Sequence, residues 1–341
     1  MSCDTKKETK EGIKLISIPK ADYQNSLEGF WLGQSIANWT GLVTEMDKIG
    51  IPTADGKGEG FYTREDWGKL DQPNIWGEFK GGDNQLIDFK VAEKDSIWGS
   101  DDDTDIEYMY QELLGNIPYV FFTPDQIVNG WKKHIHLEEE NFLWVSNQKA
   151  FDLMNEGVLP PETSDPVANP FYEMIDAQLT TEIFGLFAPT NPKVALELAY
   201  LPVRTTARGN AVDIAEFYII MHSLASNPTK NMSIKDKIQS IAIQAREHLP
   251  DDKYPAKMYD FVFSQYKKGT PWETTRDLLN EKYQVNQEDG YLWPSKDEDC
   301  SGCFAAGINF GASIISLFYG CLLYTSPSPR DVEEYRMPGS A

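Results

Sequence analysis

Three features that are missing from the sequence narrow the possible classes of protein. No stretch of about 18 consecutive apolar residues is present, so the chain offers no membrane span. Hairpin signals are missing, which argues against a β-rich fold. Basic residues are few, because 31 lysines and arginines face 53 acidic residues, for a net charge of -22. Such an acidic chain repels a phosphate backbone, so a nucleic-acid partner is not expected.

Cysteine is also scarce, with four in 341 residues. Cys300 and Cys303 form one C-x-x-C pair, but a zinc site needs a second pair, and a redox motif needs a thioredoxin-like strand before it. A local disulfide in an exported protein and two ordinary thiols both fit this pair.

The sequence does contain a hydrophobic fraction of 41%, enough to bury a substantial core, and a series of helix signals. Two stretches, 123–126 and 270–273, begin with a threonine N-cap and a proline and reach Gln or Glu three residues after the cap. Residues 211–225 have apolar side chains at helical spacing and predict an amphipathic helix. Further N-caps and C-terminal stops are predicted at Asn191, Ser233, Gly157 and Gly269. The fold class is therefore all-α, as a compact orthogonal helical bundle.

An acidic run at 99–105 precedes one of these helices. It places four carboxylates within five residues, and an apolar stripe begins behind it at Ile106, Met109 and Tyr110. A helix N-terminus accommodates one or two carboxylates at roughly 0.3–1 kcal/mol each, but this cluster is denser than capping by Ser100 or Asp101 requires. Its oxygens suit Mg²⁺, Mn²⁺ or Ca²⁺, and a solvated acidic cap is the alternative.

An earlier segment, 29–45, repeats small residues once per helical turn and ends on a glutamate. Such a stripe predicts a central helix that a neighbouring helix approaches closely. With the acidic run, it resembles the ADP-ribosylglycohydrolase family, whose chains open with G-x-x-x-G-x-x-x-G-D-A-x-G-x-x-x-E and later carry T-D-D-T at a helix start. The positions that match are Gly29, Gly33, Gly41 and Glu45, whereas Ala37 stands for a glycine and Asn38 for the aspartate.

The resemblance implies both a fold and a site. The fold is the all-α orthogonal bundle of the ADP-ribosylglycohydrolase type, and the acidic motif binds a pair of divalent cations. By position, the metal ligands are Asp101, in the place of the threonine, Asp102 and Asp103. Glu45 is the catalytic residue, beside the metals and the ribose. Two Mg²⁺ ions are expected in the complete protein, with Mn²⁺ as an alternative.

The chain departs from the family at two places. Where the family has a Ser/Thr-His pair followed by glycine, residues 206–209 read Thr-Ala-Arg-Gly, so the role of the histidine is not carried over. The family also has a late D-x-D-[TSCN] motif that completes the metal site. Asp297 and Asp299 have this spacing, but residues 304–320 resemble the helix that precedes the motif. This favours a second motif beyond Gly320.

These observations divide the chain into three parts. Residues 1–12 are polar, lack periodicity and predict a disordered tail. Residues 13–320 form the ADP-ribosylglycohydrolase-like helical domain, incomplete at its C-terminus. Residues 321–341 change abruptly to a Ser/Pro/Arg composition and are interpreted as a non-native, adapter-derived tail. Cys3 fits either the lipid anchor of an exported bacterial lipoprotein or an incidental cysteine of a cytoplasmic protein, so the compartment stays open.

The function implied by the resemblance, for the full-length parent of this chain, is metal-dependent hydrolysis of a glycosidic bond to ribose, in ADP-ribosylated proteins or other ADP-ribose conjugates. A chain without the second motif is expected to keep the fold and could lose this activity. One alternative is hydrolysis of another glycoside or nucleoside on the same scaffold, with aromatic residues of the 45–98 insertion as a platform. Another is a binding or structural protein without activity. His134 and His136 do not share a helical face, and neither they nor the helical His222 and His248 are expected to bind metal.

Overall fold

The computed structural model describes a helical body. The described residues are 16–41, 44, 61–62, 64–71, 86–87, 101–117, 121–137, 141, 143–227, 232–292 and 302–320. Several sequence predictions concern residues outside this set, namely the tail at 1–12 with Cys3, Glu45 as the expected catalytic residue, the acidic pair Asp297 and Asp299, Cys300, and the tail at 321–341.

The described part of the chain is all-α, as the sequence predicts. Its α-helices are α1 (Lys20–Gly41), α2 (Asp102–Asn116), α3 (Pro124–His134), α4 (Val145–Asn155), α5 (Asp176–Thr180), α6 (Ile183–Phe187), α7 (Pro192–Thr206), α8 (Asn210–Ala225), α9 (Ile234–Arg246), α10 (Tyr254–Lys268), α11 (Trp272–Leu279) and α12 (Ala306–Tyr319). α11 continues into a π-helical turn at Asn280–Val285. β-structure is limited, within these residues, to isolated bridges that pair Leu70 with Leu86 and Met174 with Ala305. None of the described helices is both long and apolar enough to cross a membrane.

Most of the predicted helix ends are confirmed. Thr123 forms a complete capping box with Gln126, and Asn191 and Ser233 each accept a backbone hydrogen bond as N-caps. Gly269 ends α10 with a φ of 73°, in the left-handed region where glycine carries no Cβ penalty. Gly157 follows the end of α4 with a φ of 93°. These ends were predictable because each depends on a few consecutive residues.

The predicted cap at Thr270 is wrong. α11 begins at Trp272, after Pro271, and the hydroxyl of Thr270 instead donates 3.0 Å to the Gln265 side chain of the preceding helix. The short connection from α10 turns this side chain back toward α10, so it does not reach the first turn of α11.

α8 is the central helix, and the prediction that it is amphipathic is wrong. The predicted apolar stripe is largely buried, but so are residues on the other sides, such as Ala215 and Ile219. The Phe217 ring lies 5.1 Å from that of Phe310 in α12 and 5.9 Å from that of Tyr259 in α10, centroid to centroid. Because α6, α7, α9, α10 and α12 pack around it, α8 needs apolar residues on every face.

α1 does not take the central place that its small-residue stripe predicts. It lies at the edge of the body, where Tyr23 donates 2.7 Å to the Leu186 carbonyl and the Trp31 indole donates 3.2 Å to Gln111. No described atom lies within 4 Å of the place where a Cβ would stand on Gly29 or Gly33. Within the described part of the chain, these two glycines therefore face a cavity instead of a packed neighbouring helix.

Candidate functional site

The acidic run lies at the N-terminus of α2. Asp101 is the N-cap, and its Oδ1 accepts 2.9 Å from the backbone N–H of Thr104. Its Oδ2 accepts a hydrogen bond from the side-chain amide of Asn38 in α1. Through this bond, the two segments that the sequence analysis singled out meet in space.

Asp102 points toward α4 and is only 8% exposed. Its Oδ2 accepts two hydrogen bonds, 3.0 Å from the backbone N–H of Trp144 and 2.9 Å from Nδ2 of Asn147. Trp144 is the N-cap residue of α4, and no side-chain oxygen of its own caps the helix. Asp102 thus satisfies an N–H group at the start of α4 from another helix.

A second carboxylate, Asp176 of α5, reaches the same turn of α4. Its Oδ1 accepts 2.9 Å from the backbone N–H of Asn147, and the residue is 3% exposed. Its other oxygen, Oδ2, is buried and makes no regular hydrogen bond among the described residues, although the Ser146 hydroxyl lies near this carboxyl group, and Oδ1 of Asn147 is buried without a donor there. Asn147 therefore connects the two carboxylates, one through its side chain and one through its backbone.

Two glutamates extend this acidic set. Glu107 of α2 is fully buried, and its carboxylate accepts 2.9 Å from the backbone N–H of Ile183 and 2.5 Å from the Gln34 amide of α1. Glu182 immediately precedes α6, and its Oε2 is buried without a donor in the described part of the chain. We call the six carboxylates the acidic corner: Asp101, Asp102, Asp103, Glu107, Asp176 and Glu182.

The acidic corner opens on two cavities of about 450 Å³ each. The first, the α1 cavity, lies between α1 and the body, and its wall includes Gly29, Gly33, Asp101 and Glu182. The second, the aromatic cavity, lies toward α11 and α12. Asp103 lines both cavities, so its half-buried carboxylate stands where they adjoin.

The aromatic cavity combines ring faces with amide groups. The Trp144 and Phe304 rings meet edge to face at 5.5 Å. Phe61, from the 45–98 insertion, lies under the guanidinium of Arg276 at 4.4 Å, and Arg276 also donates 3.2 Å to the carbonyl of Tyr62. The remaining polar lining comes from Asn280, Gln284 and Asn309. At least one aromatic residue of the insertion therefore lines a cavity beside the acidic corner. Cys303, also in this wall, is disulfide-bonded.

No cation of the described chain compensates the acidic corner. None of its six carboxylates forms an ion pair with a described lysine, arginine or histidine. Burial raises the pKa of Asp176 to about 7 and that of Glu182 to about 8. For Asp103, burial and then the charges of Asp102 and Asp101 raise the pKa well above its usual range. Burial likewise raises the pKa values of Asp102 and Glu107.

The structure brings the three predicted metal ligands, Asp101, Asp102 and Asp103, to one place without a closed metal cage. Among the described residues, no group of three or more His, Cys, Asp or Glu side chains is arranged to hold a metal ion. Glu45 lies outside these residues. The donor chemistry nevertheless fits Mg²⁺ or Mn²⁺, because the buried oxygens of Asp176 and Glu182 that make no regular hydrogen bond among the described residues are hard carboxylate oxygens.

The histidines are spread over the molecule. His134 has a buried Nε2 without a partner among the described residues, and His136 contacts the Lys133 carbonyl at 3.0 Å. His248 lies in the turn after α9, so its placement on a helix is corrected, and its Nε2 is 2.7 Å from Glu216. His222 lines the α1 cavity, with its ring 5.4 Å from that of Phe30, and burial lowers its pKa to about 4.

Sequence reasoning missed Asn147, Asp176, Glu182 and Glu107 as members of this site. They come from separate helices, and no short motif joins them. One signal was present, since Asp176 and Glu182 interrupt the otherwise apolar and neutral stretch 174–188. An acidic residue inside a stretch of this kind is expected to be buried, and a buried carboxylate needs a hydrogen-bond donor, a charged partner or a metal ion.

Comparisons with family models, with curated proteins and with solved structures find no match to this chain.

Proposed function

We propose that the protein is a metal-dependent hydrolase that cleaves a glycosidic bond to ribose, with ADP-ribose conjugates as substrates. The observation that carries the proposal is the acidic corner itself, a set of carboxylates without a cationic partner in the described chain. Asp102, Glu107 and Asp176 are buried, and the set opens on two cavities at Asp103. The resemblance of segments 29–45 and 99–105 to the ADP-ribosylglycohydrolase family supports the same reading.

Burying a charged group without compensation costs free energy. Isolated buried carboxylates are strongly unfavourable, and proteins keep them where a proton, a partner or a metal ion compensates them. In the proposed site, Asp103 with Asp101 and Asp102 would hold two Mg²⁺ ions. Bound Mg²⁺ supplies positive charge that orients ribose hydroxyls and activates a water.

The residues of the chain would divide the remaining work. Hydrolysis joins the water oxygen to the anomeric carbon, breaks the glycosidic bond and passes the proton of the water to the leaving group. Glu45 is the residue proposed to position the substrate or to carry this proton. The α1 cavity offers room because Gly29 and Gly33 place no side chain in it, and the aromatic cavity offers ring faces for a flat or sugar-like group.

The decisive variant replaces Asp102→Asn together with Asp103→Asn. The matched control is Asp125→Asn, which removes an exposed carboxylate from the first turn of another helix, α3. Release of ADP-ribose from ADP-ribosylated protein and binding of Mn²⁺ are both measured, with circular dichroism as the check of the fold. The double variant is expected to lose both properties and keep its fold, while the control keeps all three. Hydrolysis retained by the double variant would overturn the proposal.

A second candidate function is a binding protein without catalysis. It is favoured by the engagement of Asp102, whose Oδ2 is already bonded to two donors of α4, and by the missing family histidine. In that case Mg²⁺ would not raise the melting temperature. The remaining alternative is a hydrolase with another glycosidic substrate. Comparing the turnover of plain glycosides and nucleosides with that of ADP-ribosyl conjugates tests it.

A further inference from the structure

We infer that Asn147 and Asp176 are positioning residues that hold Asp102 in the orientation a divalent cation requires. The inference rests on the proposed function, because it assumes a cation at the acidic corner. It goes beyond the proposal by assigning a role to two residues of α4 and α5 that belong to neither sequence motif.

The hydrogen bonds that reach Asp102 converge on one of its two oxygens. Both donors that reach Asp102, the Trp144 backbone N–H and the Asn147 amide, bind the same oxygen, Oδ2, at 3.0 and 2.9 Å. Two donors on one oxygen fix the plane of the carboxylate and leave Oδ1 as the oxygen available to a ligand. Carboxylates that bind metal ions are commonly oriented by hydrogen bonds of this kind.

Asn147 is itself held in place by Asp176. Its backbone N–H donates 2.9 Å to Oδ1 of Asp176, and both residues are nearly inaccessible, with exposed fractions of 0% and 3%. Asp176 therefore fixes the first turn of α4, and this turn presents the Asn147 amide to Asp102. The Asp102 carboxylate of α2 and the Asp176 carboxylate of α5 are thus connected through one buried residue, Asn147.

Asp176 and Asn147 also carry more buried hydrogen-bond acceptors than the described donors satisfy. Oδ1 of Asn147 is buried and finds no donor among the described residues, and Oδ2 of Asp176 is buried and makes no regular hydrogen bond there, although the Ser146 hydroxyl lies near this carboxyl group. A pair whose only purpose was to cap α4 would not need these additional buried acceptors, which are costly when they stay unpaired. They suit a network that is completed when a cation binds next to Asp102.

The test measures the binding of Mn²⁺ alone to the full chain, from the loss of the free-ion signal in electron paramagnetic resonance. Asn147→Ala removes the amide donor and is expected to weaken Mn²⁺ binding about 10- to 100-fold, the range typical of residues that orient a metal ligand. The matched control is Asn210→Ala, which removes another asparagine amide that donates to a carboxylate, that of Glu173 at 2.8 Å, outside the acidic corner. The control is expected to lower the melting temperature without changing the Mn²⁺ affinity.

A second pair of variants covers the case in which Asn147→Ala does not fold. Asp176→Asn keeps an oxygen acceptor for the Asn147 N–H and should bind Mn²⁺ nearly as the unmodified protein does, whereas Asp176→Ala should bind about 10-fold more weakly. Equal affinity in Asn147→Ala and the unmodified protein, or in the two Asp176 variants, would overturn the inference and leave the proposed function intact. If the unmodified protein itself did not bind Mn²⁺, the proposed function would be overturned, and the inference with it.

Discussion

Carboxylates are buried at two places in this molecule, and their surroundings differ. At the acidic corner, Asp176 and Glu182 have no cationic partner in the described chain, and burial raises their pKa values. Outside this corner, Glu216 of α8 lies between Arg204 at 3.1 Å and His248 at 2.7 Å. Burial alone would raise the pKa of Glu216, but the bonds to His248 and the charge of Arg204 lower it instead.

The difference shows what each set of carboxylates requires. Glu216 receives its positive charge from the chain, so its ionised form is stabilised in the folded protein. The acidic corner receives hydrogen bonds but no positive charge from the described residues. Its carboxylates are therefore costly to ionise, and this cost is removed either when they hold a proton or when a cation binds beside them. A structural ion pair and a cation-binding site can therefore be distinguished by the direction of the pKa shift together with the geometry.

The largest expected effect is on the pH dependence of stability without divalent cations. Asp176 and Glu182 have folded-state pKa values of about 7 and about 8, above their ordinary values of 3.8 and 4.5. The folded protein then binds more protons than the unfolded chain, so each group lowers the free energy of unfolding by about 1.4 kcal/mol per pH unit as the pH rises between its two pKa values. Urea unfolding in EDTA measures this slope. Asp176→Asn should make it shallower, and an unchanged slope in that variant would contradict the account.

Next in size is the loss of Mn²⁺ affinity in single variants of the two regions. Asp103→Asn removes the carboxylate shared by the two cavities and is expected to weaken binding more than about 100-fold, beyond the usual effect of a residue outside the ligand set. Glu216→Gln removes a carboxylate that is already paired with Arg204 and lies outside the acidic corner, so it should leave the affinity unchanged. Paramagnetic resonance titration measures both. Equal losses in the two variants would remove the distinction between the regions.

A smaller effect is expected on stability when the paired region is broken. Glu216→Gln leaves the Arg204 guanidinium, 19% exposed, without its charged partner. This should cost about 1–3 kcal/mol at neutral pH, since the group left behind is partly buried. The loss should shrink as the pH falls below about 4.5, because the lowered pKa of Glu216 provides stability only where the unfolded chain would be ionised. Thermal unfolding at two pH values checks the sign, and a loss that grew on acidification would be inconsistent with the ion pair.

The smallest effects concern two glycines on helices. Gly33→Ala in α1 should stabilise the protein by about 0.5–1 kcal/mol, because no described atom occupies the space of the new methyl group. Gly311→Ala in α12 should instead destabilise it by about 1–3 kcal/mol, since the methyl would lie 2.8 Å from side-chain atoms of Leu279 and Met258. Chemical denaturation compares the two. A loss of stability in Gly33→Ala would mean that the stripe of α1 is packed after all.

The sequence predicted those parts of the fold that depend on neighbours along the chain. The capping box at Thr123, the N-caps at Asn191 and Ser233 and the stop at Gly269 were found because the groups that bond lie within a few residues of each other. The Asp101 cap of α2 belongs to the same class. Local chemistry alone decides these positions.

The parts that sequence reasoning missed depend on which elements meet. The apolar spacing of 211–225 is the same whether a helix is covered on one face or on all faces, so the central place of α8 was not visible. The small residues of α1 were equally compatible with a packed helix and with a cavity wall. The bonds from Asn147 to Asp102 and Asp176 join three helices across sequence separations of 45 and 29 residues. No periodicity records contacts of that kind.

The most direct measurement of the central claim is thermal unfolding of the unmodified chain near pH 8, where Asp176 is largely ionised, with increasing Mg²⁺ or Mn²⁺. The account predicts a melting temperature that rises with the logarithm of the ion concentration and is about 4 °C higher at a hundred times the dissociation constant, a rise absent from Asp103→Asn and retained by Glu216→Gln. A melting temperature that does not respond to either ion in the unmodified chain would contradict it.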